Sequence, residues 1–459
     1  MGGGPGGYVA ALRAAQLGAQ VTVIESRGLG GACLHRGCIP TKALVATAGV
    51  LHNIRRAKDF GIRLSEQGAV DLAAVVARKN RIVQTQAQGI EQLFKAARVT
   101  LVRGVGTIDT PRSVVVRTAD GATRSVACDA IIVATGSEPA KPALFPFDGE
   151  RVLTSDDVID LTRLPATLLI VGGGVTGAEF ACIFRALGSQ VTVVEQVERV
   201  VPTEDEAVSA LLQREMTKQG IRVLVGTGVT RVAPETDSVR VELTSGEAIT
   251  VDRVLVAVGR SLNSRMIGAE IVGLPFGPRG ELAVDEGMET GIDGVWAIGD
   301  VVGRKQLAHA ASAEGEVAAE RAMGGDARMR FEAIPAGIFT FPEIGSIGLT
   351  EAQARASGRD VAVGEFLFRA LAKAHVLGDT AGFVKMVTAA NTGELLGVHI
   401  IGPHAAELIH EAVIAIQAEA TVDDVIHAIH VHPTLSEVVR EAAGASRGRA
   451  IHAVKRVSA

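Results

Sequence analysis

Cys33 and Cys38 are the residues whose type and spacing most directly suggest chemistry. They stand five apart in Gly30-Gly31-Ala32-Cys33-Leu34-His35-Arg36-Gly37-Cys38-Ile39-Pro40-Thr41-Lys42 and are two of only four cysteines in 459 residues. In a regular helix that separation is about 7.5 Å of rise, beyond the roughly 7 Å between Cα atoms that a disulfide can span. Pairing therefore requires a broken helix. Gly37 supplies dihedral freedom, and Pro40 lacks an amide proton and would clash with the carbonyl of residue 36. The alternative is two free thiols on a helix that follows a glycine loop. No basic-then-apolar leader opens the chain and no apolar run reaches about 18 residues. A cytoplasmic protein is expected, with neither secretion signal nor membrane span, and in a reducing compartment a cysteine pair points to catalysis. Cys128 and Cys182 lie in apolar surroundings, as small buried hydrophobes do.

The second candidate group is His432-Pro433-Thr434-Leu435-Ser436-Glu437. A carboxylate near an imidazole can fix its tautomer and stabilise the imidazolium, making an oriented base. Two other readings stand beside that one: Thr434-x-x-Glu437 is also a capping box for the last helix, and His432 can be a satisfied structural histidine. His427, His430 and His432 lack the ligand spacing of a metal site.

The elements that would position these groups show as a repeat. Gly2-x-Gly4-x-x-Gly7 is followed by a helix-forming run over 9–17, Gly18, and a β-branched strand ending at Glu25. The same landmarks return 170 positions later as Gly172-x-Gly174-x-x-Gly177, Gly188 and Glu195. Glycine turn, helix, strand and terminal acid form the layout of a dinucleotide site, with pyrophosphate on the helix N-terminus and ribose hydroxyls on the acid. Two copies predict two dinucleotides. The buried strand Leu168-Leu169-Ile170-Val171 feeds the second turn, whereas only Met1 precedes the first, so the natural N-terminus is expected upstream of Met1.

Between and beyond the copies, residues 44–98 carry apolar positions at helical spacing and predict long helices. The runs 131–136 and 254–259 read as buried strands ending on glycine, and 291–300 as one ending on Asp300. From about residue 331 mixed strands and helices replace the repeat. The fold class is α/β, with two Rossmann-like domains and a C-terminal α+β domain. The expected boundaries are 1–147, 148–265, 266–330 (completing the first domain) and 331–459. A net charge of −5, from 46 basic and 51 acidic residues without a long block of either sign, gives no nucleic-acid footprint. The basic end, Arg447, Arg449, Lys455 and Arg456, reads as a solvated tail.

Together these motifs resemble, from end to end, the dihydrolipoamide dehydrogenases of the flavin disulfide-reductase family, down to Gly448-Arg449-Ala450-Ile451-His452 near the end. The resemblance implies FAD on the first copy, NAD on the second, a C-terminal α+β domain that is a dimerisation domain, and oxidation of protein-bound dihydrolipoamide through a Cys33–Cys38 disulfide. Cys33 would exchange with substrate, Cys38 would face the flavin, and Lys42 would neighbour it, paired with Glu179. Gly2, Gly4, Gly7, Glu25, Gly106, Thr135, Gly136, Ser137, Asp300, Ala308 and His309 match FAD positions. Gly172, Gly174, Gly177, Glu179, Glu195, Val229 and Gly259 match NAD positions. His432, held by Glu437, would serve the cysteines of the other subunit of a homodimer, and lipoyl domains of 2-oxo acid dehydrogenase or glycine-cleavage complexes would be the partners. Ser261-Leu262 after Arg260 departs from the family pattern. A related reductase of glutathione- or mycothiol-type disulfides, and a non-catalytic scaffold subunit, are the competing expectations. The absence of further C-terminal cysteines argues against mercuric and high-molecular-weight thioredoxin types.

Overall fold

The repeat in the sequence is also a repeat of hydrogen bonds. In the computed structural model, which describes every residue except 66, 67, 266 and 454–459, Gly2 N donates to Ile24 O and Gly172 N to Val194 O, both at 2.8 Å. Lys455 and Arg456 lie outside the described residues. A Cβ on Gly7 would fall 2.0 Å from Gly2 O, and one on Gly177 would fall 1.8 Å from Gly172 O. Only glycine lets each helix, Pro5–Gln16 and Val175–Leu187, close this tightly on its turn.

The copies differ where the sequence says they should. In the second, Thr167–Val171 runs parallel between Gln190–Val194 and Arg253–Val256, with Leu168, Leu169 and Ile170 fully buried. In the first, Thr22–Glu25 pairs with Thr100–Arg103, and Ile131–Val133 pairs with Val295–Ala297, as two separate parallel ribbons. Met1 alone runs where the second copy has its central strand. Its carbonyl accepts from Ala134 N at 2.7 Å, as the carbonyl of Val171 accepts from Ala257 N.

The chain forms two units. One comprises Met1–Pro142, Leu153–Arg163 and Gly259–Arg330. It holds the first copy, the long helices Cys38–Arg56 and Leu72–Ala96, the antiparallel sheet of Val105–Thr110, Ser113–Arg117 and Thr123–Ala127, and the helix Ala308–Ala322. That last helix meets Pro5–Gln16 through small residues, Gly6 and Ala10 against Ala311 and Gly315. Glu314, on the same helix, is fully buried. Its Oε2 accepts from Gly299 N at 2.6 Å, and Oε1 has no partner among the described residues.

Burial pushes the Glu314 carboxyl from its ordinary 4.5 up to about 7. Across that window the folded chain keeps a proton that the unfolded chain has lost, so stability declines as pH rises, by roughly 3 kcal/mol once the group ionises. Glu314→Gln, which cannot ionise, is expected to melt with the wild type at pH 5 and above it at pH 8. Thermal unfolding at the two pH values checks this.

The other unit comprises Ala143–Val152, Leu164–Val258 and Phe331–Ala459. Its C-terminal part is an antiparallel five-stranded sheet in the order Ala336–Ile338, Glu343–Gly348, Leu395–Gly402, Phe383–Ala389, Val361–Leu367. The helices Ala405–Gln417 and Glu437–Ser446 pack on it around Phe366, Phe368, Ile400, Ile409 and Val438. Both central strands are buried along their whole length, which places Lys385 among apolar neighbours. A buried ammonium is tolerated only when paired. Lys385 meets Asp205 at 2.9 Å and Glu351 at 2.7 Å, and these carboxylates overcome the opposing effect of burial and raise its pKa. Among the described residues no helix is long and apolar enough to cross a membrane.

Candidate active site

Gly37, at φ −127° and ψ −108°, separates the helix Gly31–Arg36 from the helix Cys38–Arg56. The break brings the Cα atoms of Cys33 and Cys38 to 4.7 Å, and the two sulfurs are bonded as a disulfide. Pro40 falls in the first turn of the second helix, where a missing N–H costs nothing. Gly31, at φ +59°, carries the start of the cysteine helix onto the first glycine turn: a Cβ there would lie 2.6 Å from Gly4 Cα. The disulfide is thus built onto the first dinucleotide cradle. Lys42 follows on the same helix as Cys38, half-buried. The other cysteines are chemically quieter. Cys182 is buried and its thiol is pushed up to about 12 by desolvation, while Cys128, half-exposed rather than buried, is also raised by desolvation.

Both cradles leave their helix N-termini uncapped. Gly4 and Gly174 are the N-caps, neither helix has a side-chain cap among the described residues, and neither first turn holds an acid. Orphan N–H groups on a helix N-terminus suit an anionic phosphate. At each strand tip the acid is fixed by backbone. Glu25 accepts from Gly3 N at 2.7 Å and Arg27 N at 2.6 Å; Glu195 accepts from Gly173 N at 2.6 Å and Val197 N at 2.9 Å. These bonds leave lone pairs on each carboxylate for ribose hydroxyls.

Around the first cradle, Thr135 and Gly136 are tied to Asn263: Thr135 Oγ1 donates to Asn263 O at 2.7 Å and Asn263 N donates to Gly136 O at 2.9 Å. Ser137 Oγ donates to Asp300 Oδ2 and accepts from Arg260 Nε. Asp300 is the second residue of the 3₁₀ turn Gly299–Val302 after the strand Val295–Ala297, and Ala308 and His309 begin the helix Ala308–Ala322. Gly106 lies on the strand Val105–Thr110, its missing side chain pointing at Ile24 and Val114. The Ser261-Leu262 departure pairs as Arg260–Leu262 with Ser137–Pro139. In the second unit Glu179 is buried and accepts from Phe339 N at 2.9 Å, and Val229 opens the strand Val229–Pro234. Gly259 belongs to the first unit, its carbonyl accepting from Ala140 N.

His432 Nδ1 lies 2.9 Å from Glu437 Oε1, and Thr434 N donates to Glu437 Oε2 at 2.9 Å. Half of the capping box forms, because the Thr434 N–H bond to Glu437 is its reciprocal arm. The last helix begins at Glu437 with Ser436 as N-cap, and Thr434 Oγ1 donates to Val431 O instead. Burial disfavours the Glu437 charge, yet the His432 ring and the Thr434 N–H outweigh it and hold the carboxyl below its ordinary range. An ionised acceptor on Nδ1 leaves Nε2 as the basic nitrogen. His430 is used differently, with Nε2 on Glu411 and Nδ1 on Ala428 O, and the Glu411 bond raises its pKa. Among the described residues no three His, Cys, Asp or Glu side chains gather into a metal-binding group. His432 is 72% exposed in the single chain, next to Ile429 at 99% and Val431 at 74%.

Residues 1–315 match the family "Pyridine nucleotide-disulphide oxidoreductase", and residues 334–443 match its dimerisation domain. The chain belongs to this family. Its members similar to this chain include a dihydrolipoyl dehydrogenase of Bacillus subtilis, 40% identical over 455 residues that cover 99% of both chains. Another, from Thermus scotoductus, is 41% identical over 462 residues, covering 99% of this chain and 98% of the relative. The crystal structure of LpdA from Mycobacterium tuberculosis superposes with a TM-score of 0.91 at 32% identity, covering 96% of this chain and 98% of that one. This oxidoreductase family uses FAD and NAD, and the matched dimerisation domain supports a homodimer. Sequence reasoning missed Asn263, Arg260 and Glu314. Their partners lie between 15 and 128 residues away, and no local spacing marks them.

Proposed function

We propose that this oxidoreductase is a dihydrolipoamide dehydrogenase. The observation that carries the reading is the disulfide mounted on an uncapped dinucleotide cradle in a chain that also holds a His–Glu pair. The relatives' names support the substrate. Residues 1–147 with 266–330 are assigned to the FAD domain, 148–265 to the NAD domain and 331–459 to the dimerisation domain. FAD would be held by Gly2, Gly4, Gly7, Glu25, Lys42, Gly106, Thr135, Gly136, Ser137, Asp300, Ala308 and His309. NAD would be held by Gly172, Gly174, Gly177, Glu179, Glu195, Val229 and Gly259.

His432 of one subunit takes a proton from a substrate thiol, since the thiolate is the attacking species. That thiolate attacks Cys33 Sγ; the Cys33–Cys38 bond breaks and Cys38 leaves as thiolate. The second substrate thiol attacks the mixed disulfide, lipoamide departs oxidised, and Cys33 is released reduced. When bound, the flavin and nicotinamide supply the acceptor chemistry for this electron pair. Lipoyl domains are the proposed partners. The cytoplasm is the proposed compartment, since free Cys128 and Cys182 beside one redox pair suit a reducing environment.

Steady-state oxidation of dihydrolipoamide tests the reading. NADP is expected to fail where NAD serves, because the Glu195 side chain at the strand tip is set to accept from ribose hydroxyls and leaves no place for a 2′-phosphate. Equal use of NADP, or a preference for glutathione or mycothiol disulfides over lipoamide, would overturn it.

A further inference from the structure

Arg36 stands between the two redox cysteines as the last residue of the helix Gly31–Arg36. One guanidinium nitrogen, Nη1, donates to Glu138 Oε2 at 2.9 Å and to Asp156 Oδ2 at 2.8 Å, and Arg27 closes on Glu138 at 3.1 Å. The site is half-buried, with the Arg36 side chain 26% exposed and that of Asp156 22%. Burial works against the Arg36 charge, but its two carboxylates prevail and raise its pKa. At Asp156 burial, with the charge of Glu138, outweighs the pull of Arg36 and pushes the carboxyl up. A helix surface needs no such cluster, and the position lies in the one loop that must open and close covalently.

The strand that receives Arg36 gives the cluster its meaning. In Ser137–Pro139 successive side chains take opposite faces. Glu138 holds the cysteine loop, while Ser137 bonds Asp300 Oδ2 and Arg260 on the other side. Three residues therefore tie the redox loop to the acid expected to hold the flavin. When the Cys33–Cys38 bond opens, the two cysteine helices remain joined through Gly37, whose dihedrals already interrupt the helix.

We propose that Arg36 is a positioning residue: its clamp to Glu138 and Asp156 holds the end of the cysteine helix in place after the disulfide opens, so that both thiols stay within bonding reach and the disulfide re-forms. This rests on the reading of Cys33–Cys38 as the redox couple. The step is a two-electron exchange in which two thiols lose two protons and an electron pair to the acceptor and gain the S–S bond.

The FAD-containing enzyme is equilibrated in mixtures of reduced and oxidised dithiothreitol, acid-quenched and alkylated, and the cysteine peptide is weighed by mass spectrometry. Arg36→Met is expected to shift the dithiol–disulfide equilibrium about tenfold toward the dithiol, which is about 30 mV for a two-electron couple. The double variant Glu138→Gln with Asp156→Asn removes the clamp without changing volume, so it carries the test if Arg36→Met does not fold. It should shift the same way, and Arg36→Lys should recover part of the shift. An unchanged midpoint with only a lowered melting temperature makes Arg36 a structural residue and overturns the proposal. A wild-type disulfide that dihydrolipoamide does not reduce sinks the functional reading, and this one with it.

Discussion

Replacing Cys33 or Cys38 by serine is expected to bring dihydrolipoamide oxidation to the background of the assay while the protein keeps its fold. Closing so short a loop restrains the unfolded chain by only about 2 kcal/mol. Each fully buried aliphatic side chain contributes roughly 1.5–3 kcal/mol, and dozens are buried here. The covalent bond is therefore dispensable for folding. It is not dispensable for turnover, because held groups reach effective molarities of roughly 10⁵–10⁸ M, and added thiol at millimolar concentration cannot replace the lost sulfur. The two variants should also differ from each other. With Cys38→Ser, Cys33 can still open the ring of oxidised lipoamide, and iodoacetamide caps the lipoyl thiol so released, leaving an adduct seen in the intact mass. Cys33→Ser should give none. An adduct on the Cys33→Ser protein would exchange the roles of the two sulfurs.

The parts of this molecule that could be read from the sequence are those whose geometry is local. A 13-residue stretch with Gly37 and Pro40 announces a broken helix, and the helix is broken there. The glycine spacing announces two turn-and-helix units, and hydrogen bonds repeat at the same offset because Gly7 and Gly177 sit where no Cβ fits. The failures come from distance. Thr434-x-x-Glu437 satisfies the capping pattern and Thr434 N does bond Glu437, yet Thr434 Oγ1 is engaged by Val431 O and the helix starts only at Glu437. A local rule held by half. Nothing local to the two cysteines marks Arg36; its partners Glu138 and Asp156 are 102 and 120 residues further on. Cys128 follows a strand and invites a buried assignment, but Thr123–Ala127 is an edge strand of its sheet and leaves the thiol half-exposed.

Replacing His432 by glutamine should lower dihydrolipoamide turnover by roughly 10²–10⁴-fold, the usual span for loss of a general base, with FAD content unchanged. Glu437→Gln should cost less, since it weakens the hold on Nδ1 without removing the basic nitrogen. A base this exposed, flanked by the largely exposed Ile429 and Val431, makes sense if a second copy covers it. Co-expressing Cys33→Ser with His432→Gln subunits decides the matter. If each His432 serves its partner's disulfide, a mixed dimer has one site with both defects and one with neither, and random pairing restores roughly a quarter of wild-type activity. If each His432 serves its own chain, both sites of the mixed dimer carry one defect and nothing is restored. Recovery from two inactive parents would place the proton acceptor across the dimer interface, whereas its absence would return His432 to its own subunit.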